Sequence, residues 1–86
     1  MGEVRTRYYL RMRAEDKPGV LAQIAKALGD NEISISSVIQ KETSSGSAEL
    51  VIMTHIACEG KMRRAIQEME LLPSVLQIES FIRVED

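Results

Sequence analysis

The sequence predicts an α+β fold, a ferredoxin-like βαββαβ sandwich in which a four-stranded antiparallel sheet carries two helices on one face. Three observations lead there. Apolar and polar residues alternate over 6–14 and 75–85, as half-buried strands require, and 48–56 reads as a more apolar strand with both faces covered. Apolar residues recur at helical spacing over 18–30 and 59–72. With a further strand at 33–42, the order strand, helix, strand, strand, helix, strand makes two split βαβ units of near equal size. Right-handed crossovers then place the first and third strands in the middle of the sheet and the second and fourth at its edges, with the other face left open.

Each element follows from its residues. In the first strand Tyr8, Leu10, Met12 and Ala14 share one side, and Arg7, Tyr9, Arg11 and Arg13 the other. The first helix is read from Pro18 to about Asp30 on the stripe Val20, Leu21, Ile24, Ala25 and Leu28, with Gly29 and Asn31 at its end. In the second strand the alternation breaks at Ser36-Ser37, which predicts a bulge or an exposed edge. A turn is expected at Thr43-Ser44-Ser45-Gly46-Ser47, followed by a strand with Leu50 and Ile52 facing one way and Val51 and Met53 the other. The second helix uses Met62, Ala65, Ile66 and Met69, pairs Glu59 with Arg63 four residues on, and is stopped by Pro73. The last strand groups Leu76, Ile78, Ile82 and Val84 on one side and Gln77, Glu79, Phe81 and Arg83 on the other. On this reading the open face carries Tyr9, Val51, Met53 and Phe81 among arginines, and a second copy or a host protein covers it.

Eighty-six residues hold one modest core and leave no room for a complete cofactor-dependent enzyme. A net charge of -2 and a pI near 5.4 argue against a binder of nucleic-acid backbone, even with Arg5, Arg7, Arg11, Arg13 and Arg83 free to cluster. The aromatics are Tyr8, Tyr9 and Phe81, too few for a pair of stacking platforms on the central strands of an RNA-binding sheet. A single cysteine, Cys58, makes no internal disulfide and reads as a small buried thiol. Met1 to Arg7 lacks an apolar signal core, and no apolar run approaches the roughly 20 residues that span a bilayer. The expectation is a soluble cytoplasmic domain with no membrane partner. Residues 1–5 read as leading linker and 6–86 as one domain cut from a longer chain. His55 and Cys58 make half a metal site at most, so no metal is expected.

The segment Glu15-Asp16-Lys17-Pro18-Gly19-Val20-Leu21 joins the first strand directly to the first helix. Asp16 is expected to cap that helix, Pro18 to sit in its first turn, and Gly19 to let the backbone approach a ligand. Unpaired N–H groups at a helix start suit a carboxylate, and the Asp16 carboxylate suits an ammonium.

The whole stretch from Tyr8 to Ala25, with its Asp-x-Pro-Gly-Val-Leu turn, resembles the opening of an ACT domain, the small module that senses amino acids in biosynthetic enzymes. Ser37-Val38-Ile39-Gln40-Lys41 and Val51-Ile52-Met53-Thr54-His55 make it similar, more narrowly, to the C-terminal ACT domain of homoserine dehydrogenase. The resemblance covers nearly all of the chain after Arg5. It implies feedback control by an amino acid such as threonine, bound between two ACT domains. It also implies a homodimer through the edge strand 33–40, and a host whose catalytic domain uses NAD(P) to interconvert aspartate semialdehyde and homoserine. By position it assigns Asp16, Lys17, Pro18, Gly19, Val20 and Leu21 to the effector loop and helix start. Asn31, Ile33 and Ser34 fall at the mouth of the neighbouring strand, and Gln40 matches a glutamine implicated in effector recognition.

No catalytic residue and no cofactor is assigned to the domain itself, which lacks a dinucleotide-binding glycine fingerprint. Structural roles stand beside the functional ones: Asp16 as a plain cap, Pro18 and Gly19 as turn geometry, Asn31 as a left-handed helix terminator, Gln40 as a solvated edge residue. The competing functions are a ligand-free dimerisation scaffold and the ACT domain of another enzyme of amino-acid metabolism. A small acyl phosphatase, needing an Arg beside an Asn, lacks the glycine-rich loop that chemistry requires.

Overall fold

The computed structural model of the chain describes residues 5–42 and 46–84, Glu42 by its backbone alone. Strand β1 (Arg5–Glu15) leads into helix α1 (Val20–Asp30), strands β2 (Ile35–Glu42) and β3 (Ser47–Thr54), a two-residue strand β4 (Ala57–Cys58), helix α2 (Glu59–Glu70) and strand β5 (Val75–Val84). β1 lies between β3 and β5, and β2 pairs with the far side of β3, all antiparallel. This is the expected ferredoxin-like sheet, with five strands where four were read.

The extra strand comes from a break in the third. Tyr9 pairs with Met53, but Thr6 pairs with Ala57, so β4 resumes the antiparallel run along β1 one residue out of step. The buried Thr54 hydroxyl sits at the break, accepting from the Tyr8 N–H at 3.0 Å and donating to the His55 carbonyl at 2.8 Å. A side chain thus replaces part of the interrupted ladder. Arg5, read as linker, belongs to β1 and pairs with Cys58. Of the expected turn, 43–45 lie outside the described residues; Gly46 has φ 77, a left-handed value that favours glycine.

The core is the layer between sheet and helices. Tyr8, Leu10 and Met12 from β1 and Ile52 from β3 are fully enclosed, facing Ile24 and Leu28 of α1 and Met62, Ala65 and Met69 of α2. Three of these are methionines, whose unbranched side chains fill irregular gaps. Leu21 and Ala25, read as part of the α1 stripe, are exposed; Ala27 takes the buried place. Cys58, read as buried, is half-buried.

β5 departs most from the reading. Its register against β1 slips twice, leaving Glu79 and Leu76 as extra residues. Each slip turns the following side chains over. Phe81, expected on the open face, therefore lies opposite Leu10 on the helix side and stacks on Tyr8 with ring centroids 5.2 Å apart. Ile82 takes its place on the open face opposite Tyr9 and is 54% exposed. In β2 the slip falls between Ile35 and Ser37, where the serines predicted it.

Candidate functional site

The loop from β1 to α1 is a type II turn. Val20 N–H donates to the Lys17 carbonyl at 3.3 Å, Pro18 occupies the second position, and Gly19 has φ 85 and ψ -11 at the third. Proline presets the second position of such a turn, and the third needs a positive φ that glycine supplies without strain. The helix consequently begins at Val20, two residues later than read, and Pro18 lies outside it. Asp16 is not its cap: Gly19 is the N-cap residue, with no side-chain cap, and its carbonyl accepts from Gln23 N–H at 3.1 Å.

Released from capping, Asp16 is held from elsewhere. Its N–H donates to the Gly46 carbonyl at 3.1 Å, and Glu15 N–H to the Ser74 carbonyl at 2.8 Å. These bonds tie the loop to the β2–β3 turn and to the start of β5. The Asp16 carboxylate accepts a long hydrogen bond from Gln40 Nε2 at 3.4 Å. Gln40 reaches it because its Cα pairs with Leu50, whose neighbour across β1 is Met12, so Gln40 lies on the helix side of β2.

The result is a notch of about 40 Å³ lined by Glu15, Asp16, Lys17, Val20, Leu21, Gln40, Ala48 and Leu50. Its polar rim carries two carboxylates and one ammonium. Lys17 Nζ pairs with Glu15 at 2.9 Å, and that hydrogen bond holds the lysine charged above its usual range. Asp16 is left with a neutral amide as partner. Of the residues lining the notch, Leu21 lies in the first turn of α1, where its N–H has no carbonyl four residues back within the helix. The notch is therefore lined both by an acceptor suited to an ammonium and by a first-turn residue whose N–H suits a carboxylate.

The sequence-assigned residues divide into two groups. Asp16, Lys17, Val20, Leu21 and Gln40 line the notch, with Pro18 and Gly19 forming the turn that shapes it. Asn31, Ile33 and Ser34 stand at the other end of α1. Asn31 is buried and donates from Nδ2 to the Ala27 carbonyl at 2.8 Å and to Glu68 at 2.6 Å, joining α1 to α2. It has φ -102; the left-handed residue is Glu32, φ 62. Ile33 N–H bonds to the Leu28 carbonyl and Glu32 N–H to that of Gly29, the Schellman pattern, with Ile33 and Leu28 both buried. Ser34 is exposed, and its carbonyl accepts from His55 N–H at 2.9 Å. Glu15, Ala48 and Leu50 line the notch without having been singled out. The β1–β3 register, which sets Ala48 opposite Ala14, was the signal that could have found them.

A strand, a Pro-Gly turn and a helix start, with Asp16 and Lys17 at their junction on this sheet, define a class. The ACT domain family profile matches residues 8–72, and the chain belongs to that family. Its relatives among curated proteins are homoserine dehydrogenases. One from Methylobacillus glycogenes is 44% identical over 88 residues, taking in 100% of this chain and 21% of the relative. That of Pseudomonas aeruginosa is 41% identical over 80 residues, 91% of this chain and 18% of the relative. A solved homoserine dehydrogenase from Thiobacillus denitrificans superposes with a TM-score of 0.87 at 42% identity, over 98% of this chain and 18% of that one. The regulatory subunit of aspartate kinase from Thermus thermophilus has a TM-score of 0.68 over 95% of this chain and 55% of its own, at 15% identity, a likeness of fold alone. The chain spans about a fifth of the length of the curated relatives it matches. Among the described residues no helix is long and apolar enough to cross a membrane.

Proposed function

We propose that residues 6–86 act as the regulatory domain of a homoserine dehydrogenase, binding an amino acid at the Asp16 notch, threonine first among the candidates. The observation that carries this is the juxtaposition of an Asp16 carboxylate, held among the described residues by Gln40, with the N-terminus of α1 in a chain 44% identical over its whole length to such an enzyme. The ligand's ammonium displaces the Gln40 amide from Asp16, and its carboxylate takes the first-turn N–H groups. A volume of about 40 Å³ admits a few waters and not a whole amino acid. The reading therefore includes a second copy, joined side by side through the unpaired edge of β2, whose residues close the notch. Effector binding then favours one arrangement of the two domains and passes to an NAD(P)-dependent catalytic domain in the cytoplasm.

The small notch also favours a second reading, a dimerisation scaffold without effector. Isothermal titration of the chain with threonine, isoleucine, serine and lysine separates the two. Saturable heat from one of them, abolished in Asp16→Ala with the fold intact, supports regulation. No heat from any at millimolar concentration leaves the scaffold.

A further inference from the structure

Ser74 ties together the two sides of the Asp16 notch without lining it. It is buried, at the third position of a turn in which Val75 N–H donates to the Leu72 carbonyl at 3.0 Å and Pro73 presets the second position. Val75, buried and paired with Ala14, fixes where that turn meets the sheet. One residue back, Ser74 falls beside Glu15. Its carbonyl accepts from Glu15 N–H at 2.8 Å, and its hydroxyl donates to Gln23 Oε1 at 2.7 Å.

Those two bonds land on opposite ends of one segment. Glu15 is the last residue of β1, and Gln23 lies in the first turn of α1. Between them run Asp16, the Pro18-Gly19 turn and Leu21, so the acceptor and the first-turn residue of the notch are both enclosed by the ties. The Gly46 carbonyl and the Gln40 amide, by contrast, both act on Asp16, on the strand side. Neither Ser74 nor Gln23 lines the notch; what they supply is the spacing between strand end and helix start. A junction that binding must first order costs affinity, and a strut across it removes that cost beforehand.

We propose, on the reading of the notch as an amino-acid site, that Ser74 is a positioning residue for it: by bridging Glu15 and Gln23 it sets the distance between the Asp16 carboxylate and the first turn of α1, and with it the affinity for the effector. The test is isothermal titration with threonine, isoleucine, serine and lysine of four whole chains: the parent, Gln23→Ala, Ser74→Ala and the double variant. Gln23→Ala deletes the hydroxyl's partner at an exposed helical position where alanine is the better helix former. Its Tm should therefore hold, while its Kd for whichever amino acid binds the parent rises about fivefold or more. Ser74→Ala should raise the Kd to a similar degree, and the double variant no further than either alone, since both changes remove one bond. An unchanged Kd in folded Gln23→Ala overturns the strut and leaves the effector reading standing. Losses that multiply in the double variant overturn the strut as well. No saturable heat from the parent with any of the four overturns both. Gln23→Ala decides the matter even if Ser74→Ala fails to fold.

Discussion

Single residues reveal where this chain accepts strain and where it avoids it. Gly19 must hold φ 85, and a Cβ built there meets nothing within 4 Å, so the penalty of a substitution is conformational and not steric. Gly19→Ala should cost about 1–2 kcal/mol, read as a lower urea midpoint. Glu32 occupies the same left-handed region without being glycine, and its carboxylate bonds the Lys61 ammonium. Glu32→Gly should therefore stabilise, read as a higher urea midpoint, since the relieved strain exceeds the worth of an exposed ion pair. The lysine depresses the Glu32 pKa, so the pair stabilises above the ordinary glutamate range and is lost as pH falls through the folded value. The advantage of Glu32→Gly should grow in acid, which urea midpoints near neutrality and below that range will measure. Among the described residues the Tyr8 hydroxyl is buried without a hydrogen-bond partner, and burial raises its pKa. Tyr8→Phe removes an unsatisfied donor while keeping the ring stacked on Phe81, so thermal stability should be unchanged or higher.

At the scale of elements, the strands and helices were legible because their apolar periods are strong. Tyr8, Leu10, Met12 and Ala14 are all fully buried, as strict alternation requires. What periodicity could not give was the junctions. Pro18-Gly19 was read as a helix start and is a type II turn, because both uses of proline are local and only the position of glycine after it distinguishes them. The alternation of 75–84 was read as one register, but slips at Leu76 and Glu79 exchange Phe81 for Ile82 on the open face. A bulge leaves little mark in one strand's own sequence, since it depends on the partner strand. Asn31 shows the same limit: its side chain joins two helices far apart in the chain. Asn31→Ala should cost about 1–3 kcal/mol by stranding the buried Ala27 carbonyl and freeing Glu68, measurable by chemical denaturation.

For the molecule as a whole, the consequence of the notch is linkage. If threonine binds, a concentration of 100 times Kd should add about 2.7 kcal/mol of stability, seen as a rise in Tm that Asp16→Ala abolishes. An unshifted Tm in the parent chain would count against the effector reading. The sequence by itself determined the order of the long elements, the buried face of β1 and the Asp-x-Pro-Gly-Val-Leu motif, because these depend on residues within a few positions of one another. Tertiary structure alone decided that Gln40 meets Asp16, and that Asn31, Ile33 and Ser34 stand a helix length from them. Those facts come from strand register and bulges, which are settled between segments distant in the chain, where no local period reports them.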